Sequence, residues 1–276
     1  MRRLIPAALV ASVLVVVAHE APAGAEFTRI AGNDRYETSA AISESAIEPS
    51  PDIVYVATGT GFADALAGSA LAGTRRTSVL LVEPDEIPPS VEDELERLQP
   101  DSIAILGGTG AISADVEEAL GEHTDGAVTR LAGTDRYSTA TQVSGSYFGS
   151  EVAYVYIANG EQFPDALSAG AAAVDRGPVL LTNRDELPPA TKNELARLRP
   201  QEIIVVGGFA AVSDEVEAAL DEYTTGPVSR QAGNDRFATS AIVSSGAFQP
   251  PTGAVYLANG RSFADALSGG AVAGAG

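Results

Sequence analysis

The feature that most constrains this chain is a stretch of nine residues that occurs three times. AGNDRYETS at 31–39 returns as AGTDRYSTA at 132–140 and as AGNDRFATS at 232–240. Longer stretches recur in the same order, among them VYVATGTGFADALAGSALA at 54–72, with copies at 155–173 and 255–273. A period of about 100 residues means that one domain-sized unit is built repeatedly. We therefore predict repeats at 28–129, 130–229 and 230–276, the third of them less than half a unit.

Within one repeat, apolar strands alternate with helices. Apolar runs rich in β-branched residues at 52–57, 78–82 and 103–106 are typical of buried strands. Helices are predicted from Asn33 or Asp34 to Ile47, over 62–73, from Pro88-Pro89 onward, and from Ser113 to Leu120. Continuous apolar strands separated by helices indicate a parallel sheet covered on both faces. The predicted fold class is therefore α/β, with tandem Rossmann-like units.

The helix predicted over 62–73 has small, apolar residues on nearly every side and no polar face for water. Its expected partner is the neighbouring repeat, and three similar surfaces joined head to tail close a ring with pseudo-threefold symmetry. The third repeat stops after its first half. We therefore expect that this chain alone does not complete the ring. The apolar face of 263–273 would then stay exposed and favour self-association.

The first 25 residues predict export. A basic start at Met1-Arg2-Arg3 precedes an apolar run at 4–18, and APAGA at 21–25 offers small residues for cleavage. An uncleaved anchor is the alternative. The chain has no cysteine and therefore no disulfide bond. Its formal net charge of −20 excludes a general binder of nucleic acid or of anionic membranes. We predict a signal peptide at 1–25 and a secreted protein at the cell wall or cell surface, with no membrane contact after cleavage.

Each repeat carries the pattern Arg–x–Ala–Gly–x–Asp–Arg, which suggests anion binding. Guanidinium groups bind phosphate and carboxylate through paired hydrogen bonds. The candidates for contact with an anionic polymer are Arg29, Arg35, Arg130, Arg136, Arg230 and Arg236. Gly108 and Gly208, between a strand end and a helix start, are further candidates, since such turns hold anions. The alternatives are structural: arginines that bridge repeats, and glycines that permit a tight turn.

Two sets of aspartates recur with the repeats. Asp34, Asp135 and Asp235 stand at a predicted helix start, where a carboxylate accepts hydrogen bonds from free backbone N–H groups. Asp64, Asp165 and Asp265 stand in the first turn of the apolar helix, where the helix dipole favours negative charge. We expect structural roles for both sets. For the second set, a salt bridge to a repeated arginine of another repeat and a contact with a ligand hydroxyl remain alternatives.

Several kinds of catalytic site have no counterpart in the sequence. The only histidine after residue 25 is His123, which has no copy in the second repeat, and neither HExxH nor GxSxG occurs. A Ser-His-Asp site or a histidine-ligated zinc site therefore lacks its residues. The carboxylates form no repeated pair of the kind used in sugar hydrolysis. We predict no enzyme activity, no metal and no cofactor.

Four motifs, in order, resemble those of the cell wall-binding repeat 2 family: RIAGNDRYETSAAIS, FADALAGSALA, PVLL and ILGGTGAIS. The resemblance covers 28–276. It implies triplets of Rossmann-like, toprim-like units that pack as a pseudo-trimer on exported surface proteins, often beside a separate effector domain. It also implies non-covalent attachment to the wall through anionic polysaccharides.

The resemblance also implies a role for one short motif. The family associates a Pro-Ile-Leu-Leu motif with polymer binding. It matches Pro178, Val179, Leu180 and Leu181 closely, and Val79, Leu80 and Leu81 without the proline. Since these residues are also typical strand core, we expect them to shape a groove without touching the polymer.

Our leading hypothesis is thus a non-catalytic module that anchors an exported protein to wall polysaccharide. The alternatives are a surface adhesion or matrix protein that binds another protein, and a carboxylate-based wall hydrolase. Because the net charge is negative, binding to an anionic wall would depend on local arginines and be sensitive to salt.

Overall fold

A computed structural model describes residues 27–275. The elements of the first repeat are α1 (Arg35–Ala46), β1 (Val54–Thr58), α2 (Gly68–Thr74), β2 (Val79–Val82), α3 (Pro89–Leu98), β3 (Ile103–Leu106), α4 (Ala114–Leu120) and β4 (Val128–Leu131). Those of the second are α5 (Arg136–Gly145), β5 (Tyr154–Asn159), α6 (Phe163–Ala173), β6 (Val179–Thr182), α7 (Pro189–Leu198), β7 (Glu202–Val206), α8 (Asp214–Leu220) and β8 (Val228–Gln231). The third contributes α9 (Arg236–Ala247) and α10 (Ala264–Ala275). The predicted signal peptide lies outside the described residues.

The strands form two four-stranded sheets within the described part of the chain, in the orders β2-β1-β3-β4 and β6-β5-β7-β8. Every pairing is parallel. Each of the central strands β1 and β3 is buried along its whole length, because helices cover both faces of the sheet. The predicted α/β class and parallel sheets are confirmed.

The last strand of each sheet was not predicted from the sequence. β4 pairs with β3, with Ile105 opposite Arg130, and β8 pairs with β7 in the same way. These strands are short, partly exposed and interrupted by arginine, so they lack the continuous apolar pattern of a buried strand. The predicted repeat boundaries at 129/130 and 229/230 fall inside them. Each strand therefore straddles the point where the sequence begins to repeat, while it pairs with the preceding sheet.

The small apolar helix differs between the first two repeats. α6 begins at Phe163 with Pro164 in its first turn, whereas α2 begins only at Gly68. Between Phe62 and Gly68 the first repeat forms turns, in which Ala65 N donates to Phe62 O at 3.2 Å. Proline favours the first turn of a helix because its φ angle is already helical, but α10 also begins at Ala264 without a proline, so Pro164 does not account for the difference by itself. The prediction of a helix over 62–73 was therefore correct in type and too long at its start.

Helices α2, α6 and α10 contact one another at the centre of the molecule, one from each repeat. Around them, α2 contacts α5, α6 contacts α9, and α10 contacts α1 and β2. Ser268 Oγ of α10 donates to Val79 O of β2 at 2.8 Å, which joins the third repeat to the first. The central interfaces thus close a pseudo-threefold ring, and the expectation that this chain could not close it was wrong. The reason is that the contacts between repeats come largely from the first half of each repeat.

The exposed apolar surface of the third repeat is not where the sequence suggested. The 263–273 segment is largely covered, with Leu267 and Ala271 fully buried in the central helix cluster. Instead, Val255, Tyr256 and Leu257 are 76%, 43% and 89% exposed. They align with β1 and β5, which lie between two paired strands in their sheets. Among the described residues no strand pairs with 254–259, and this segment has no regular secondary structure.

Candidate functional site

Three phenylalanines, each preceding or beginning one of the central helices, contact one another. Phe62, Phe163 and Phe263 belong to different repeats, and their ring centroids lie 5.6, 5.7 and 6.2 Å apart in edge-to-face geometry. This arrangement is favourable because the positive edge of one ring meets the negative face of another. Each ring follows the carboxyl end of a strand or of the equivalent segment, the edge where ligands of open α/β sheets gather.

Three of the predicted arginines surround this phenylalanine cluster. Arg35 lies over Phe263 at 5.6 Å, Arg136 over Phe62 at 5.9 Å, and Arg236 over Phe163 at 5.8 Å. Each guanidinium therefore contacts the ring of another repeat, an attraction between a cation and the face of an aromatic ring.

The same three guanidinium groups also bind their own repeats. Arg136 donates to Gly160 O at 2.6 Å and Arg236 to Gly260 O at 2.9 Å, and Arg35 donates to Gly59 O. A guanidinium carries five N–H donors, and the carbonyl takes one of them. Arg35 and Arg236 are exposed and Arg136 is half-buried. We name this arrangement of three arginines and three phenylalanines the axial site.

The phenylalanines of the axial site were not singled out from the sequence. The signal was available, because each repeat has Phe two residues before the aspartate of the Asp-Ala-Leu motif. An aromatic residue in an apolar segment is typical of any core, so only the convergence of three repeats distinguishes these rings.

Arg130 and Arg230 lie elsewhere and are held within the sheets. Arg130 binds Glu117 through Nε at 3.1 Å and Nη2 at 2.8 Å, and its Nη1 donates to Gly107 O at 2.9 Å. Arg230 binds Glu217 and Gly207 O in the same way, at 3.1, 2.7 and 2.7 Å. These contacts tie the last strand to the last helix of each sheet. Polymer contact by these two arginines stays a prediction.

Arg29 has a different setting from its two copies. It is exposed and lies in a segment without regular structure before α1. Its copies bind the sheet that precedes them in the chain, and among the described residues no sheet precedes Arg29. Its predicted role in polymer binding also stays a prediction.

Asp34, Asp135 and Asp235 are the N-caps of α1, α5 and α9. Their carboxylates accept from Glu37 N at 2.9 Å, Ser138 N at 2.8 Å and Ala238 N at 2.8 Å, respectively. In α5 the Ser138 hydroxyl also accepts from the Asp135 backbone N–H, which completes a capping box. Hydrogen bonds from the Ser138 amide hold the pKa of the Asp135 carboxyl below its ordinary value. Each cap is followed directly in the sequence by an arginine of the axial site.

Asp64 and Asp165 lie against glycines at the end of the third strand of each sheet. Gly107 and Gly207 have φ angles of 111° and 114°, a region that favours glycine. A Cβ at Gly207 would lie 2.5 Å from Asp165 Oδ2, so the carboxylate occupies the space that a side chain would need. Burial raises the pKa of the Asp165 carboxyl, and the charge of Arg236 opposes that rise. Asp165 therefore interacts electrostatically with the third repeat. Asp265 lies in the first turn of α10.

Gly108 and Gly208, the glycines selected from the sequence, have open surroundings. They are half-buried, and a Cβ at either position would meet no atom within 4 Å. The preceding glycines, which sequence analysis did not select, are the ones that the turn geometry requires. Anion binding at Gly108 and Gly208 stays a prediction.

The proposed groove-shaping motif forms strand core. Val79, Leu80 and Leu81 in β2 are fully buried, as are Leu180 and Leu181 in β6. Val179 is 1% exposed, and Pro178 O accepts from Tyr156 N at 3.0 Å. The side chains of this motif therefore face the interior, as expected from their type.

The described residues contain no group of three acidic, histidine or cysteine side chains that could hold a metal ion. None of their helices combines the length and apolar character needed to cross a bilayer. The described residues of the axial site place guanidinium groups beside aromatic rings, and guanidinium groups bind anions and stack on planar apolar faces.

Comparisons with known proteins agree with these features. The family model described as cell wall binding domain 2 matches 29–117, 130–217 and 230–276. The amidase enhancer of Bacillus subtilis is 32% identical over 89% of this chain and 33% of its own length. The N-acetylmuramoyl-L-alanine amidase LytC of the same species is 27% identical over 89% of this chain and 48% of its own length.

Two solved structures share the fold. Cwp6 from Clostridium difficile superposes with a TM-score of 0.78 and 27% identity over 94% of this chain and 43% of that chain. Cwp8 from the same species gives 0.76 and 25% identity over 89% and 42%. The chain thus spans between a third and a half of the length of these relatives. Because the family model matches all three repeats and the fold agrees, the chain belongs to the cell wall binding domain 2 family.

Proposed function

We propose that this chain is a non-catalytic module that holds an exported protein to the cell wall by binding an anionic wall polysaccharide. The observation that carries the proposal is the axial site, where three guanidinium groups stand around one axis. Membership of the cell wall binding domain 2 family supports the proposal, because the family is described as binding cell walls.

The mechanism that we propose is multivalent. Phosphate or carboxylate groups of the polymer would accept charge-assisted hydrogen bonds from Arg35, Arg136 and Arg236. A polymer that repeats its charged groups can occupy several weak sites at once, so avidity exceeds the affinity of any one site. The formal net charge of −20 opposes approach to an anionic wall. Binding would therefore depend on the local positive charge of these arginines.

The test is co-sedimentation of the purified chain with cell walls from the organism that produces it. One portion of the walls is left intact and another is stripped of its anionic secondary polymers. We expect the chain to sediment with intact walls and to stay in solution with stripped walls. Equal sedimentation with both would contradict binding to an anionic polymer.

The same assay separates this proposal from adhesion to another protein. Purified wall polysaccharide added in solution should compete with intact walls for the chain. Failure to compete, together with loss of sedimentation after protease treatment of the walls, would favour a protein partner.

We also propose that the third repeat associates with a second copy of the chain through 254–259. Val255 and Leu257 are 76% and 89% exposed, whereas the aligned Val54 and Val56 are fully buried between paired strands. A segment outside any sheet, with exposed apolar side chains, can pair with another such segment as an unpaired sheet edge does.

Light scattering during size-exclusion chromatography tests this association. We expect a concentration-dependent dimer that Leu257→Lys abolishes and that Ser150→Lys, at another exposed position, leaves intact. A monomer at every concentration would contradict the proposal.

Export and the repeat boundaries are likewise proposals. A signal peptide at 1–25 predicts that the secreted chain begins at Glu26, whereas cleavage behind Ala23 would make it begin at Gly24. Mass spectrometry of the chain recovered from the cell surface measures that start directly. Recovery of an intact Met1 would contradict cleavage.

A further inference from the structure

The two complete repeats differ at the carboxyl end of their sheets. The loop after β7 carries Phe209, where the first repeat has Thr109. The loop after β6 carries Asn183 and Arg184, where the first repeat has Glu83 and Pro84. These changes add an aromatic ring, remove an acid and add a base. In these two loops the second repeat is therefore the more aromatic and the less acidic of the two.

Phe209 is an exposed ring on a rigid support. It is 59% exposed, and the Arg230 guanidinium carbon lies 4.3 Å from its ring centroid. The Arg230 side chain is only 11% exposed, and its bonds to Glu217 and to Gly207 O hold it in place. The guanidinium covers one face of the ring, so the exposed area lies on the opposite face and the edges. A ligand therefore meets an aromatic surface that is already ordered.

Arg184 lies in the neighbouring loop. Ser213 N, at the end of the Phe209 loop, donates to Arg184 O at 2.9 Å, so the two loops run side by side. The Arg184 side chain is 52% exposed and pairs with Asp185 at 2.7 Å. An exposed ion pair of this kind contributes little energy, so an anionic ligand can compete for the guanidinium.

The surroundings favour a sugar over a protein partner. Phe209 is flanked by half-buried Gly208 and exposed Ala210, and the adjacent loop contains polar and charged residues. A stable protein interface buries roughly 800 Å² on each side around an apolar centre, which one ring among polar loops does not offer. Sugar C–H groups, by contrast, carry partial positive charge that matches the negative face of a ring.

We propose that Phe209 and Arg184 form a sugar-binding subsite of the second repeat, with one ring of the anionic polysaccharide stacked on Phe209 and its acidic group on Arg184. This inference rests on the proposed function. It assigns the two complete repeats unequal shares in binding, because the first has threonine and proline at these positions.

Reciprocal substitutions test the subsite by co-sedimentation with intact and stripped walls. Phe209→Thr gives the second repeat the residue of the first and should weaken binding to intact walls roughly tenfold, as expected for one lost stacking contact. Thr109→Phe should strengthen binding, because Arg130 is held as Arg230 is, with Nη1 2.9 Å from Gly107 O. The double variant should restore binding toward that of the unchanged chain.

Two further variants sharpen the result. Arg184→Gln should weaken binding and reduce its dependence on salt, because one ionic contact is lost. Tyr147→Thr is the matched control, since Tyr147 is also an exposed ring over an arginine, with Arg75 at 5.6 Å, but lies beyond α5. It should leave binding unchanged.

The outcomes separate the two proposals. If the unchanged chain does not prefer intact walls, the proposed function fails. If it prefers intact walls but Phe209→Thr and Thr109→Phe bind as it does, the subsite is refuted while the anchoring role stands. Phe209 is exposed and the first repeat folds with threonine there, so thermal melts of both variants should match that of the unchanged chain.

Discussion

At the scale of single residues, the pKa values of two repeated aspartates are shifted in opposite directions. Asp135 caps α5 and accepts hydrogen bonds, which stabilise its charged form and lower the pKa. Asp165 is largely buried, which disfavours its charged form and raises the pKa. The charged carboxylate thus stabilises the folded state at Asp135 and destabilises it at Asp165.

Asp135→Ala should lower the free energy of unfolding by about 1 kcal/mol at pH 7, the usual effect of losing an N-cap. Because the folded pKa lies below the ordinary value of 3.8, this stabilisation is present above pH 3.8 and is lost as the pH falls through the folded pKa. Urea denaturation at pH 7 and at acidic pH measures the difference. Asp125→Ala, in an exposed loop, should have little effect at either pH.

Asp165→Asn should show the reverse pH dependence. The folded pKa lies above 3.8, so the folded chain holds the proton more tightly, and stability falls as the pH rises from 3.8 through the folded pKa. The asparagine variant does not titrate. Its stability relative to the unchanged chain should therefore improve between acidic and neutral pH, measured by urea denaturation. A relative stability that declines over that interval would contradict the raised pKa.

At the scale of elements, small residues allow the central helices to approach closely. A Cβ at Gly73 in α2 would lie 2.6 Å from Ala271 O of α10 and 2.5 Å from Val174 Cγ2. The two repeats therefore approach so closely at this point that a Cβ does not fit without a shift of its neighbours. The small residues of these helices allow the ring to close, because larger residues would keep the repeats apart.

Gly73→Ala should destabilise the chain by about 1–3 kcal/mol, because the added methyl group meets backbone and cannot be accommodated by a side-chain rotation. Gly269→Ala in α10 is the matched control, since a Cβ there meets no atom within 4 Å. Alanine favours the helix over glycine, so the control should be neutral or stabilising by about 0.5–1 kcal/mol. Thermal and urea unfolding distinguish the two, and equal effects would argue against close helix contact.

At the scale of the whole molecule, the ring brings arginines that lie about 100 residues apart to one axis. Arg35, Arg136 and Arg236 each contact a ring of another repeat, so the axial site exists only when all three repeats are assembled. Binding at this site and the assembly of the ring are therefore linked.

Replacing one of these arginines by glutamine should weaken wall binding roughly threefold, whereas replacing all three should weaken it at least about a hundredfold, because multivalent attachment is lost. Binding of the unchanged chain should also fall as salt increases. Arg199→Gln removes the same charge from an exposed pair with Glu151 near the end of α7 and should have no effect. Binding that is unchanged in strong salt would contradict a role for the arginines.

The sequence by itself determined the repeated α/β unit, the parallel sheets, the caps at Asp34, Asp135 and Asp235 and the apolar helix that joins repeats. These follow from local patterns, since periodicity and capping involve residues a few positions apart. Only the tertiary structure decided that α10 closes the ring and that Phe62, Phe163 and Phe263 meet. It alone separated Arg35, Arg136 and Arg236 from Arg130 and Arg230, and assigned β4 and β8 to the preceding sheets. The physical reason is that these features depend on contacts between residues far apart in the sequence, and no pattern within one repeat records which surface it will face.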